Sequence, residues 1–201
     1  GQADPFEVVN AELIARWSEF DKPLYHGGAE SSFDLTVNTN WKLAVENYCE
    51  SYHLPWIHPG LNSYSRLEDH YHIEQAGKFS GQGTYVYRQL KGEGDQVFPD
   101  FADLSDQWDT GAEYIAIYPN VLLGAQRDHC FVLVLEPTSQ ETITEHVHLF
   151  YAQPDTPQAM REENAKLWKG VFEEDIFVVE GMQKGRHAPH FDGGRFSPAM
   201  D

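Results

Sequence analysis

Cysteine is nearly absent from this chain of 201 residues: Cys49 and Cys130 are the only two. Two thiols cannot build a disulfide framework, a CxxC metal knuckle or the ligand set of an iron-sulfur cluster. Basic residues are also scarce, with 14 Lys and Arg against 32 Asp and Glu and a net charge of -18. Nucleic acid and anionic membrane surfaces reward basic patches, so neither is expected as a partner. No apolar run approaches the ~20 residues of a membrane span, and no signal peptide is visible. These absences together read as a cytoplasmic protein. The acidic surface would suit a basic protein partner or a cationic small molecule, and it serves solubility in any case.

What is present fits one globular domain with a substantial core: 41% of residues are hydrophobic and 23% charged. The segment through Phe20 carries a weak helical pattern (Leu13, Ile14, Trp17, Phe20), and a looser stretch follows from Asp21 to Ser31. Phe33 to Val37 alternates as a strand. From Asn40, a plausible N-cap, Leu43, Val45, Tyr48 and Tyr52 fit a helix. Strand patterns then recur at His70 to Gln75, Gly83 to Leu90, Glu113 to Tyr118, Val121 to Gln126, Cys130 to Glu136 and Thr142 to Ala152. Short turns separate most of them, which predicts antiparallel pairing. The acidic segment from Gly92 to Gly111 reads as a mobile loop. Thr156 as N-cap and Pro157 at the first helical position open the longest helix, with Gly185 near its end. The expected fold is α+β, a curved antiparallel sheet around one long C-terminal helix.

The stretch Glu50-Ser51-Tyr52-His53-Leu54-Pro55-Trp56-Ile57-His58 stands out. Neutral imidazole is the commonest protein ligand for borderline metals. Glu50 and His53 are three apart, about 60° around a regular helix, and share a face. His53 and His58 are five apart, about 140° around, too divergent for one ion. The helix is therefore expected to end between them, with Pro55 breaking the ladder so that His58 swings back.

A third ligand is expected at Asp175. Trp168, Val171, Phe172, Val178, Val179 and Met182 form one stripe of the last helix, and Asp175 lies on it. A carboxylate on an apolar face is costly unless it is paired or binds a cation. Glu173 and Glu174 point elsewhere and are expected in solvent. Two imidazoles and one carboxylate leave open positions, the arrangement of non-haem Fe(II) oxygenases, and the same set can hold zinc with an activated water.

Asn40-Trp41-Lys42, Glu46-Asn47-Tyr48, Glu50 to His53 and His58-Pro59 resemble the iron motif of Rieske non-haem iron oxygenase α subunits. Glu174-Asp175, followed by Glu180 and Gln183, resembles the same family's C-terminal ligand helix. The resemblance runs from about Phe33 to Gly185. It implies the helix-grip (START-like) fold and mononuclear iron held by His53, His58 and Asp175. It also implies that Glu50, where many members carry Asp, bridges to the Rieske domain of a neighbouring subunit in a homotrimer. Electrons would come from NAD(P)H through a reductase or ferredoxin and a [2Fe-2S] Rieske cluster, and O2 would oxidise a small organic substrate. That cluster takes two Cys and two His, and with Cys49 inside the iron motif the pair Cys49 and Cys130 does not fit it, so the Rieske domain is expected upstream of Gly1 or supplied in trans.

Aromatic acids, N-methylated amines and quaternary ammonium compounds are the substrate classes the resemblance implies. Trp56 and the acidic balance would suit a cation. The competing readings are a zinc-dependent hydrolase on the same three ligands and a START-like binding module with incidental histidines. Tyr114, Ile117, Leu122 and Gln126 are candidate pocket residues. His70 with His72, and His146 with His148, share strand faces as solvated or hydrogen-bonded pairs. His187 and His190 are expected at the surface.

Overall fold

A computed structural model describes residues 4–194. Two short helices come first, α1 (Phe6–Val9) and α2 (Ala11–Arg16), then a two-residue strand β1 (Tyr25–His26) and β2 (Ser32–Val37). Helices α3 (Trp41–Tyr48), α4 (Leu54–Ile57) and α5 (Pro59–Asn62) follow in close succession. Six strands come next: β3 (His70–Gln75), β4 (Phe79–Thr84), β5 (Ala112–Ile117), β6 (Val121–Gln126), β7 (His129–Pro137) and β8 (Ile143–Tyr151). The chain closes on α6 (Gln158–Arg186).

All eight strands form one antiparallel sheet in the order β1-β8-β7-β6-β5-β4-β3. β2 also pairs with β8, and it follows β1 along the same edge: Tyr25 faces Tyr151, and Val37 faces Ile143. The alternation that marks the strands also decides the core. Ile143, Val147, Leu149 and Tyr151 turn inward from β8, with Phe131, Leu133 and Leu135 from β7. They pack against Trp168, Phe172 and Val179 of α6 and Ala44 and Val45 of α3. Phe131 and Trp168 have ring centroids 4.6 Å apart. Each such side chain contributes about 1.5–3 kcal/mol on burial. The opposite face, at β3 to β5, is covered by Leu13 and Trp17 on Ile73, Phe79 and Ile115. The result is the α+β, helix-on-sheet arrangement expected from the sequence.

Several boundaries differ from expectation. The second strand lies at Phe79–Thr84, not Gly83 to Leu90. Its Gly81 is required there, since a Cβ would sit 2.0 Å from the Tyr114 carbonyl oxygen. The Tyr85-Val86-Tyr87 alternation that mimics a strand is irregular chain. The acidic segment from Gly92 to Gly111 is pinned by Phe98, Phe101 and Trp108, all buried, so it is a packed connection. Helix α6 starts one residue late, with Pro157 at the N-cap; the Thr156 hydroxyl donates to the Gln153 carbonyl instead of capping.

Candidate metal centre and substrate cleft

The metal-motif segment is built by successive caps. The Asn40 side chain accepts from the Lys42 amide and starts α3, a cap worth about 1 kcal/mol. Helix α6 holds the same turn: Glu180 accepts from the Asn38 amide, and Gln183 from the Asn40 amide at 2.9 Å. Helix α3 ends at Tyr48, so Tyr52 and His53 fall outside it, contrary to the sequence expectation. The Glu50 carboxylate then organises the turn, accepting from the Tyr52 amide at 2.7 Å and the His53 amide at 3.3 Å. His53 is the N-cap of α4, and His58 is its C-cap. Pro55 sits in the first turn of α4, where a missing N–H costs nothing, so it helps begin a helix and does not break one. His58 leaves helical geometry at φ -116, ψ 66, and that bend brings the second imidazole back toward the first.

Each imidazole commits its Nδ1 to a carboxylate. His53 Nδ1 is 2.6 Å from Glu50 Oε1, and His58 Nδ1 is 2.7 Å from Glu174 Oε2. An ionised carboxylate only accepts, so in the neutral rings the protons sit on Nδ1 and the Nε2 lone pairs face away. There, Asp175 Oδ1 is 3.6 Å from His53 Nε2 and 3.2 Å from His58 Nε2. One ligand atom from each residue lies within 4.8 Å of the other two. Asp175 Oδ1 is buried with no hydrogen-bond partner. Three acceptors converging without a donor are costly unless a cation joins them, so these residues fit a borderline metal ion. With no metal, burial pulls the His58 pKa down, but Asp175 and Glu174 outweigh it and leave the pKa raised. Neither thiol competes as a ligand: burial pushes Cys49 up to about 11 and Cys130 up to about 12.

His53, His58 and Asp175 stand on the wall of a cleft. Tyr48, Tyr64, Tyr87, Tyr114, Phe131 and Trp168 make most of its other walls aromatic, with Ser65, His70 and Gln82 as a polar edge. Burial lowers the His70 pKa, and its ring bonds to Ser65 and Gln82 at 3.0 and 2.8 Å.

Expectation and structure part at several residues. Glu174, expected in solvent, orients His58. Trp56 is 83% exposed and does not line the cleft. Of the four candidate pocket residues, Tyr114 lines the cleft and Leu122 a smaller cavity behind Asp175. Ile117 packs on the outer-face cluster, and Gln126 is buried outside both cavities. His70 is a cleft residue, whereas His72 pairs outward with Glu74. His146 pairs with Asp34 and Glu136, and His148 bonds Ser32. His187 and His190 are exposed. Asp128 and His129, a buried pair behind the cleft wall, are missed by the sequence reading, which starts the strand at Cys130; the adjacent Asp-His dipeptide is the available signal. Glu50 does not line the cleft and is held by three bonds, so it is poorly placed as a general base for a zinc-bound water.

Among the described residues, no helix is long and apolar enough to cross a membrane. Choline monooxygenase, chloroplastic, of Arabidopsis thaliana is 25% identical over 213 residues, covering 95% of this chain and 45% of that protein. Putrescine 2-hydroxylase of Bordetella bronchiseptica is 26% identical over 161 residues, covering 75% of this chain and 37% of the relative. The chain thus spans less than half the length of these curated relatives. Among solved structures, the quaternary ammonium Rieske monooxygenase CntA shares the fold with a TM-score of 0.71 at 18% identity, over 96% of this chain and 48% of CntA. Naphthalene 1,2-dioxygenase from Rhodococcus sp. does so with a TM-score of 0.66 at 14% identity, over 93% of this chain and 51% of that one. The family described as ring hydroxylating alpha subunit (catalytic domain) matches residues 15–201, a span that takes in the sheet, the long helix and all three converging side chains, and the chain belongs to that family.

Proposed function

We propose that this chain is the catalytic domain of a Rieske-type oxygenase, with His53, His58 and Asp175 holding one mononuclear Fe(II). The observation that carries the reading is the orphaned Asp175 Oδ1 facing two Nε2 atoms whose rings are fixed from behind by Glu50 and Glu174. Fe(II) in a two-histidine, one-carboxylate set supplies O2 activation beside a bound substrate. The chain's own residues do the rest. Glu50 and Glu174 keep the protons on Nδ1, and the aromatic walls give the cleft a mostly apolar lining. The substrate is a small organic molecule, a reading supported by the choline and putrescine in the relatives' names.

A [2Fe-2S] Rieske cluster would supply the electrons, drawn from NAD(P)H through a reductase or ferredoxin; with Cys49 inside the metal motif and Cys130 on β7, that cluster would sit on another domain. Glu50 connects that cluster to His53, the Rieske domain belonging to a neighbouring subunit of a homotrimer. The two free cysteines suit the cytoplasm.

Metal analysis after anaerobic reconstitution tests the reading. About one Fe(II) per chain is expected, lost in His53→Ala, His58→Ala and Asp175→Ala. Zinc as the retained metal, or full iron in Asp175→Ala, would overturn it. Sustained NAD(P)H-driven oxidation by this chain and a reductase alone would contradict the need for a separate Rieske domain.

A further inference from the structure

One buried carboxylate near the cleft has no part in the metal centre. Asp128 is 0% exposed. Its Oδ1 lies 2.8 Å from the Tyr87 hydroxyl and 2.8 Å from His129 Nδ1, while its Oδ2 is buried without a hydrogen-bond partner. His129 Nε2 lies 2.8 Å from Trp168 Nε1. An indole N–H only donates, so His129 Nε2 accepts, its proton sits on Nδ1, and Nδ1–H donates to Asp128. Asp128 Oδ1 therefore receives two donors, as a carboxylate does. The two chains of bonds run outward from it to Tyr87 and Trp168, and both of those side chains line the cleft.

Among the described residues, Asp128 makes no direct ion pair with a Lys or Arg, although Arg127 lies close enough to feel its charge. Arg127 is next in sequence, but its guanidinium is committed to both Asp100 oxygens, the Asp109 carbonyl and the Asp109 carboxylate. Inside protein, a charge one side chain away from a cleft is screened far less than in water. A phenol and an indole that donate toward an anion are also more electron-rich, which strengthens their attraction for cations. No Lys or Arg lines the cleft among the described residues. Arg88, outside the lining, is held over the Tyr64 ring at 4.7 Å. Among the described residues, no Lys or Arg of the lining offers an anionic substrate a counter-charge.

We infer that Asp128, through Tyr87 and through His129 to Trp168, sets the cleft for a substrate carrying a positively charged nitrogen, a quaternary ammonium or protonated amine. The inference rests on the cleft being the substrate site proposed above. Asp128 touches neither substrate nor metal; it is a positioning and specificity residue acting through two aromatic walls.

The test is calorimetric titration of the purified chain with choline and with dimethylbutanol, in which a carbon replaces the ammonium nitrogen. The wild-type chain should bind choline roughly tenfold tighter than its uncharged isostere. Asp128→Asn should lower that ratio roughly three- to tenfold while leaving dimethylbutanol binding nearly unchanged. Equal weakening of both ligands would mean that Asp128 only packs the wall, and would overturn the inference. So would a wild-type chain with no preference, or with no choline binding. If circular dichroism shows Asp128→Asn unfolded, Tyr87→Phe decides the matter, because it keeps the ring and cuts one link. A reduced ratio supports the inference, and an unchanged one overturns it. Iron content measured on the same preparations separates the two claims: iron without cation preference sinks only this inference, and cation preference without iron sinks only the oxygenase reading.

Discussion

Glu174 Oε2 and His58 Nδ1 stand 2.7 Å apart although the two residues are 116 positions apart in the chain. This contact joins α6 to the end of α4 and fixes which nitrogen of His58 is free. Glu174→Gln should therefore weaken Fe(II) binding about 10- to 100-fold, read by competition with a chelator. Glu173→Gln, on a neighbour that reaches only the surface Lys169, is the control and should leave affinity unchanged. Equal affinities for the two variants would mean that His58 needs no orienting partner.

Glu50 is the less exposed of the two orienting carboxylates, 18% against 45% for Glu174, and is the one proposed to face the Rieske domain. Glu50→Gln should keep most of the iron but cut multi-turnover oxidation by a large factor in a protein carrying its Rieske domain. Single-turnover chemistry in the fully reduced enzyme should suffer less. Iron loss as complete as in His53→Ala would make Glu50 a direct ligand and end the bridging assignment.

Sequence alone made the convergence of His53, His58 and Asp175 legible because burial and charge conflict openly at Asp175. An acidic residue on the stripe of Trp168, Phe172 and Val179 demands an explanation, and two nearby histidines offer one. Glu174 was hidden because a helix wheel places it outward, and nothing in the chain announces that His58 comes to meet it. Pro55 misled for a related reason. Proline breaks a helix it interrupts but suits one it starts, and only the position of the Tyr48 terminus decides which applies. The sheet order followed from short turns, whereas Gly83 to Leu90 failed because aromatic alternation also suits chain that lines a pocket. The Asp128 relay joins residues from three separated segments, a connection no local pattern encodes.

The Glu113 cluster supplies a stability test away from the cleft. Glu113 is buried and accepts from Arg16 Nε at 2.8 Å, Trp17 Nε1 at 2.7 Å and the Tyr71 hydroxyl at 2.8 Å. Glu113→Ala strands the indole and phenol donors and should cost about 2–4 kcal/mol in urea unfolding, with Fe(II) affinity unaffected. A loss below ~0.5 kcal/mol would show that the N-terminal helices are held by Leu13 and Trp17 packing alone.

Glu145 gives the metal-free chain a pH dependence. It faces inward from β8 beside the small cavity behind Asp175, and burial, with the Asp175 charge adding, pushes its pKa from 4.5 up to about 8. Between those values the folded chain holds a proton that the unfolded chain has released. Stability must therefore fall as pH rises through this window, by a few kcal/mol at most on the order-of-magnitude scale of such shifts. His58, also raised, acts in the same direction. Glu145→Gln should flatten the decline in melting temperature between about pH 5 and pH 8. An identical slope in wild type and variant would place the titrating group elsewhere.

Helix α6 carries Trp168 and Phe172 on the cleft wall, Glu174 and Asp175 at the candidate metal centre, and Glu180 and Gln183 on the turn that starts α3. One rod therefore sets both what is accepted and whether the centre holds together. A change on this helix that widens the cleft shifts the ligand rows a turn or two away. Tyr64, Val86, Tyr87 and Tyr114 reach the same cleft from elements that carry no ligand. New substrate ranges in this scaffold are then expected to arise by drift on the sheet and loop side, with the helix held constant as the inherited part.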